Sequence, residues 1–337
     1  MTCRQENAGV YAPVHRHMKD ASECTRPKLI SLVMPAYNEQ GTLRVAFDRL
    51  EDVFAGSPYE WELVLVNDGS SDDTLLEATT YRSRAFRMVV VDLSRHFGKE
   101  AALSAGLRSA SGDAVIPMDA DLQDPPELVL EMISRWAKGA EVVIARRSDR
   151  GSDLWTKRFS AALFYRAFNM MSDVAIPENV GDFRLMDRSV VDAINGLPEN
   201  RRFMKGLFAW AGFRTEEIDY VRPSRASGAT KFNTFRLVNL AIEGVTSFST
   251  APLRLVTYLG VSVAIAAMAY GCYIALRTLI YGVELPGYAS IVSLLAFLSG
   301  LQLLGLGIVG EYVGRSYMES KSRPPYVIRG IFRSDAG

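Results

Sequence analysis

From residue 28 to about residue 147, short runs of Val, Ile and Leu alternate with longer stretches whose apolar positions recur at helical spacing. The short runs, at 29–34, 62–66, 88–93, 114–118 and 141–145, read as buried strands. The longer stretches, near 42–54, 72–84, 99–110 and 126–138, read as amphipathic helices. This alternation predicts an α/β fold: a mostly parallel sheet with helices on both faces. Ligands of such sheets bind beyond the carboxyl ends of the strands.

The pattern then changes. Residues 155–171 mix aromatic and aliphatic positions with Lys157, Arg158 and Arg166, and suit either a helix lying on a membrane surface or one packed into a core. Residues 233–252 form a second juxtamembrane amphipathic segment. No charge occurs between Arg254 and Arg277, or between Glu284 and Glu311. About 22 residues of helix span roughly 33 Å, the thickness of a bilayer core. The two runs predict a transmembrane hairpin over 253–313, with spans near 254–280 and 287–312. Basic residues gather before the first span and after the second, so the positive-inside bias puts both termini and the α/β domain in the cytoplasm, at the inner membrane. The expected layout is a mobile tail over 1–27, the α/β domain over 28–232, the juxtamembrane helix, the hairpin, and a cytoplasmic tail over 314–337.

Net formal charge is +0, which gives no field for nucleic acid. Cys3, Cys24 and Cys272 form no disulfide or metal-site spacing, as expected of a cytosol-facing protein.

The chemistry collects at the strand ends. After the fourth strand comes Met118-Asp119-Ala120-Asp121-Leu122-Gln123-Asp124-Pro125-Pro126-Glu127. Asp124 and the prolines look like a helix start, with Asp124 as N-cap. Asp119 and Asp121 precede that cap and are not needed for it. Two carboxylates two residues apart suit Mg²⁺ or Mn²⁺, and Gln123 adds a neutral carbonyl oxygen. Glu39, in Pro35-Ala36-Tyr37-Asn38-Glu39, and Asp68, in Asn67-Asp68-Gly69-Ser70, emerge at the same edge, where a carboxylate can accept from ribose hydroxyls or a base N–H. Each also has a plainer use, in a helix cap or a turn. Arg201, Arg202, Lys205 and Lys231 stand between the sheet and the hairpin. They suit anchoring to anionic lipid, or gripping a phosphate presented at the bilayer. No P-loop occurs. The G-x-G-x-x-G of residues 305–310 lies inside the second apolar run and follows no strand, so it reads as helix packing.

Taken in order, these segments resemble the polyprenyl-phosphate glycosyltransferases of glycosyltransferase family 2, the bactoprenol glucosyltransferases above all, with dolichol-phosphate mannosyltransferase as a cousin. The likeness runs from about Lys28 to Arg329 and is carried by residues 35–39, 67–70, 97–102, 119–127, 181–185 and 310–315. It implies a GT-A, Rossmann-like fold and a divalent metal at Asp119, Asp121 and Gln123. It also implies a nucleotide sugar held by Pro35, Tyr37, Glu39, Asp68, Lys99 and Arg184. A lipid phosphate would be gripped by Arg158, Arg202, Lys205 and Lys231, with Arg184 also a phosphate candidate. Asp182 would orient the acceptor or act as a base beside the catalytic Asp119 and Asp121. The implied reaction is inverting transfer of a hexose, glucose from UDP-glucose, to undecaprenyl phosphate. The resemblance further implies a homotetramer whose tails, such as residues 326–331, add to neighbouring subunits.

Rival readings are a transferase using another nucleotide sugar such as GDP-mannose, and a membrane-anchored sugar-nucleotide-binding protein without transfer activity. A processive synthase is disfavoured, because Q-x-x-R-W is absent and Arg135-Trp136 follows Met132. A nucleotidyltransferase is disfavoured because no glycine-rich basic loop follows the first strand.

Overall fold

The computed structural model describes residues 28–147, 180–199, 202, 204–220, 251–281 and 287–336. The N-terminal tail, the segment over 155–171, most of 233–252, Arg158, Arg201 and Lys231 lie outside the described residues.

Eight strands form one sheet: β1 (Leu29–Ala36), β2 (Glu60–Asn67), β3 (Arg87–Leu93), β4 (Ala114–Pro117), β5 (Val142–Arg147), β6 (Val180–Asp187), β7 (Thr215–Tyr220) and β8 (Ile328–Ser334). Their order is β7-β5-β6-β4-β1-β2-β3-β8. β1, β2, β3 and β4 are mutually parallel, as the strand–helix alternation requires. The helices α1 (Thr42–Phe54), α2 (Thr74–Thr80), α3 (Lys99–Ser109) and α4 (Leu128–Ala137) connect the first five strands. α5 (Arg188–Gly196) and α6 (Met204–Trp210) follow β6. This is the mostly parallel α/β architecture that the strand–helix alternation predicts, and the GT-A-like one that the family resemblance implies.

Period-two alternation along β1 divides the core. Ile30, Leu32 and Met34 pack with Phe47 and Leu50 of α1 and Met132 of α4. Val33 faces the other way, toward Leu103 of α3, Val191 of α5 and Leu207 of α6. α3 lies so close to β1 that a Cβ on Gly106 would stand 2.3 Å from Val33 Cγ1. On the same side as Val33, Ser31 and Ser111 donate to the buried carboxylate of Glu62, which also pairs with Arg87 at 3.0 Å.

β6, β7 and β8 are not among the strands that the apolar runs predict. β6 runs antiparallel between β4 and β5, with Ala114 opposite Asp187. Continuing that register brings Asp182 level with Asp119 at the carboxyl edge of β4. β8 pairs antiparallel with β3, Val91 opposite Ile331. The tail strand expected on neighbouring subunits therefore completes its own chain's sheet, covering the open N–H and C=O groups of the β3 edge.

Two long helices follow, α7 (Ala251–Tyr281) and α8 (Tyr288–Ser320). Gly305, from the glycine motif inside the second apolar run, sits against α7, where a Cβ would lie 3.2 Å from Val256 Cγ1. Tyr258, Leu279, Leu295 and Leu303 are exposed. Among the described residues one stretch, Phe297–Ser320, is long and apolar enough to cross a membrane. The expectation of two spans thus meets one qualifying segment, which begins and ends later than 287–312.

Candidate active site

The order of the strands reverses between β1 and β4, because α3 carries the chain back past β1. That is where adjacent loops part and leave a crevice. A cleft of about 310 Å³ lies there, lined by Pro35, Tyr37, Glu39, Asp68, Lys99, Asp119 and Asp121 among others. Seven residues scattered over the first four βα units thus share one cavity.

The loop after β1 is stitched to the loop after β2. Asn38 N–H donates to Ser70 Oγ at 3.0 Å, Glu39 N–H to Thr74 Oγ1 at 2.9 Å, and Ser71 N–H to Asn38 Oδ1 at 2.9 Å. Gly69 has φ 64, and a Cβ there would stand 2.3 Å from the Arg95 carbonyl carbon. Only glycine permits that approach. It brings Asp68 under the loop after β3, where its carboxylate accepts from Phe97 N–H at 2.7 Å and Gly98 N–H at 2.9 Å. His96 Nδ1 lies 2.9 Å from Asp68 Oδ2. Asp68 is therefore buried and engaged with the loop that leads to Lys99, while it still lines the cleft.

His96 also stacks on Tyr37, ring centroids 4.0 Å apart. Sequence reasoning passes over it. Its signal there is position alone, in the turn between β3 and Lys99.

Lys99, in the first turn of α3, is 2.7 Å from Asp119 Oδ1 and 2.9 Å from Asp182 Oδ2. Burial opposes its charge, but Asp182 and Asp119 outweigh burial and hold the ammonium above the lysine range. Burial would likewise raise Asp182, yet Lys99, Lys205 and Arg184 keep it below the usual carboxylate range. Asp182 is thus held in its charged form by the cations around it.

Glu39 shows the opposite balance. Burial pushes its pKa up, Thr42 opposes this, and Asp121 and Asp119 add to the rise. Four acids, Glu39, Asp68, Asp119 and Asp121, line a cleft that holds one lysine. Asp119 is half-buried and Asp121 exposed, with Leu122 at φ 52 turning the chain between Asp121 and Gln123. Gln123 is turned inward: it is buried, it is not among the residues lining the cleft, and its Nε2 has no partner among the described residues. Among those residues no group of three or more acids, histidines or cysteines would hold a metal. Two carboxylates with excess negative charge nearby still fit Mg²⁺ or Mn²⁺, which bind through one or two carboxylates together with substrate phosphates and water.

The helix after this loop starts at Leu128, later than the Asp124 cap implies, and Glu127 flanks it with no side-chain cap. Asp124 instead accepts from Tyr220 Oη at 2.6 Å, tying the loop after β4 to β7.

The basic residues divide. Arg202 is buried and donates to the carbonyls of Leu197 at 2.8 Å and Glu199 at 3.2 Å, so the end of α5 holds part of its guanidinium, while Nη1 has no partner among the described residues. Arg184 and Lys205 line a different cavity, of about 300 Å³, beside α6. Glu100, which sequence reasoning also misses, accepts from Met204 N–H at 3.2 Å. Burial and Asp182 raise its pKa to about 7.

Comparison with known proteins agrees with this geometry. Residues 31–194 match Glycosyl transferase family 2, and residues 251–316 match the GtrB C-terminal hairpin. The chain is 47% identical to a bactoprenol glucosyl transferase of Shigella phage SfV over 89% of this chain and 98% of that one. A prophage bactoprenol glucosyl transferase homolog of Escherichia coli (strain K12) is 46% identical over 90% and 99%. An uncharacterized glycosyltransferase of Synechocystis sp. is 46% identical over 90% and 95%. On these matches the chain belongs to glycosyl transferase family 2 and carries the family's α/β domain together with a GtrB-type C-terminal hairpin.

Proposed function

We propose that this enzyme transfers glucose from UDP-glucose to polyprenyl phosphate, undecaprenyl phosphate in the cell, at the cytoplasmic face of the membrane. The observation that carries the reading is the cleft between β1 and β4, where Asp119, Asp121 and Lys99 meet. The bactoprenol glucosyl transferases support the substrate pair, being similar over about nine-tenths of the chain.

In this reading Pro35, Tyr37 and Glu39 receive the nucleoside, while Asp68 holds the loop that aims Lys99. Asp119 and Asp121 would hold Mg²⁺ or Mn²⁺ beside the donor diphosphate, and such an ion would supply charge neutralisation for the departing nucleotide. Gln123 would join that set only after turning toward the cleft. Lys99 sits beside the same diphosphate and offers a fixed positive charge as the bond to the sugar breaks.

The acceptor is a phosphate monoester with a second pKa near ~6, already largely anionic at neutral pH. A strong base is unnecessary, which agrees with an Asp182 pinned as an anion by Lys99. Its role is to set the cations around the acceptor. In-line attack by a phosphate oxygen on the anomeric carbon inverts the configuration there.

The hairpin over 253–313 anchors the enzyme with both ends in the cytoplasm, and both helices cross the bilayer. Arg158 and Lys231 meet the lipid phosphate at the surface. The homotetramer rests on the family resemblance alone. The test is a donor screen, UDP-glucose against GDP-mannose and other nucleotide sugars, with polyprenyl phosphate and mass spectrometry of the lipid product. Glucosyl lipid formed from UDP-glucose supports the reading. Nucleotide binding with no sugar on the lipid from any donor contradicts it.

A further inference from the structure

The pairing of β8 with β3 carries one irregularity. Gly330 stands opposite Asp92 and Ile328 opposite Leu93, so Arg329 is an extra residue with no place in the ladder. Covering the β3 edge requires no such bulge, and a bulge serves to re-aim a side chain. Here it aims Arg329 at the carboxyl end of β3. Nη1 lies 3.5 Å from Asp92 Oδ2, and Nη2 donates to the Ser94 carbonyl at 2.7 Å. Ser94 N–H donates in turn to the Val327 carbonyl at 2.9 Å. The tail thus grips the start of the loop that leads to His96 and Lys99.

Asp92 is 2% exposed, and Arg329 is its ion-pair partner among the described residues. A carboxylate at that depth is costly unless it is paired and hydrogen-bonded. Its other oxygen accepts from Asn67 Nδ2 at 2.7 Å, and Asn67, itself buried, stands opposite Asp92 in the β2–β3 register. That bond fixes which way the Asn67 amide points, so Oδ1 meets Ser70 N–H at 3.3 Å. Ser70 Oγ accepts from Asn38 N–H, and Asn38 has φ 54, a backbone region that residues other than glycine seldom adopt. Tyr37 and Glu39 flank Asn38 and line the cleft. One continuous chain of contacts therefore runs from the tail strand through Asp92, Asn67 and Ser70 to the loop after β1.

We infer that Arg329 is a positioning residue for the donor site, acting through Asp92 and Asn67 on one loop and through Ser94 on the other. The inference rests on the donor reading above and adds that the segment following the hairpin completes that site.

The experiment measures UDP affinity by calorimetry, melting temperature, and the KM values for UDP-glucose and polyprenyl phosphate, on the full chain in neutral detergent. Arg329→Met should weaken UDP by about fivefold or more and raise donor KM by a like factor, with lipid KM unchanged. Arg329→Lys, which keeps a charge beside Asp92, should recover part of that loss. Combining Arg329→Met with Asp92→Asn should cost no more than the worse single variant, since both break one chain of contacts. Arg333→Met, which removes a charge elsewhere on β8, should bind UDP as wild type does. If Arg329→Met does not fold, Arg329→Gln decides by the same measurements. Wild-type UDP affinity and donor KM in the variant that folds, whatever its melting temperature, reduce Arg329 to an edge-strand residue and overturn the inference. An equal loss in Arg333→Met does the same. If wild type binds UDP but puts glucose on no lipid, the proposed function falls while the Arg329 result still stands on UDP affinity. A wild type that binds no UDP overturns both.

Discussion

Lys99 Nζ stands 2.9 Å from Asp182 Oδ2, which joins the first turn of α3 to a strand that enters the sheet antiparallel. The same ammonium holds Asp119 at 2.7 Å. One lysine therefore neutralises part of the acid cluster and competes with any cation that Asp119 would bind.

Lys99→Met should separate two effects. Removing the fixed positive charge lowers turnover by about a hundredfold, the order expected for losing one preorganised electrostatic contact. The apparent affinity for Mn²⁺ rises, because Asp119 loses its internal competitor. Steady-state kinetics across a Mn²⁺ titration measures both, and a fall in Mn²⁺ affinity contradicts this role.

Asp68 is expected to act through the loop it holds. In Asp68→Ala, Phe97 N–H and Gly98 N–H lose their acceptor in a half-buried loop, at a cost of roughly 2–3 kcal/mol. Thermal melting in detergent should drop, and donor KM should rise more than kcat falls. A normal melting temperature with only nucleotide affinity lost would instead indicate direct contact with the nucleoside.

Glu100 predicts a pH dependence. Its pKa in the folded chain, about 7, lies above the ordinary carboxylate value, so the unfolded chain gives up this proton first. Its contribution to stability is complete below the ordinary value and is lost as pH rises through about 7, by at most about 3 kcal/mol. The groups facing it are Asp182, Lys99, Lys205 and Met204 N–H. Glu100→Gln should flatten the melting temperature between pH 5 and 8, values set by that window (roughly the two pKa values). A slope as steep as wild type contradicts the assignment.

Glu62 predicts the reverse sign. Burial would raise it, but Ser111, Ser31 and Arg87 hold it below the usual range. Its stabilisation is present above the ordinary pKa and is lost as pH falls through the lowered one. Glu62→Ala should cost roughly 2–3 kcal/mol by leaving the Ser31 and Ser111 hydroxyls and the Ser111 N–H without their acceptor. Chemical denaturation of the full chain measures it.

Much of this architecture is legible in the sequence. β1 to β5 are buried strands with strong apolar runs, and the helices between them carry clear amphipathic periods, so their boundaries differ from the expected ones by only a few residues. Asp119, Asp121 and Glu39 are legible because sheet physics sends chemistry to strand ends, whereas Lys99 is legible only through the family resemblance. β6 is not, since Gly181, Asp182 and Arg184 interrupt its apolar pattern with the polar groups the site uses. Arg202 and Gln123 look like ligands in a string of letters, and only packing shows that both turn inward. His96 and Glu100 gain their meaning from Tyr37, Asp68 and Asp182, partners distant in sequence. Asp124 has cap chemistry, but Tyr220 also engages it from β7.

The most direct measurement is transfer of labelled glucose from UDP-glucose to polyprenyl phosphate by Asp119→Asn and Asp121→Asn in titrated Mg²⁺ or Mn²⁺. Wild type should lose activity on chelation and regain it with either ion, and each variant should fall by roughly 10²–10³ while still melting normally. Either variant turning over at the wild-type rate, or wild type unaffected by chelation, would contradict the account.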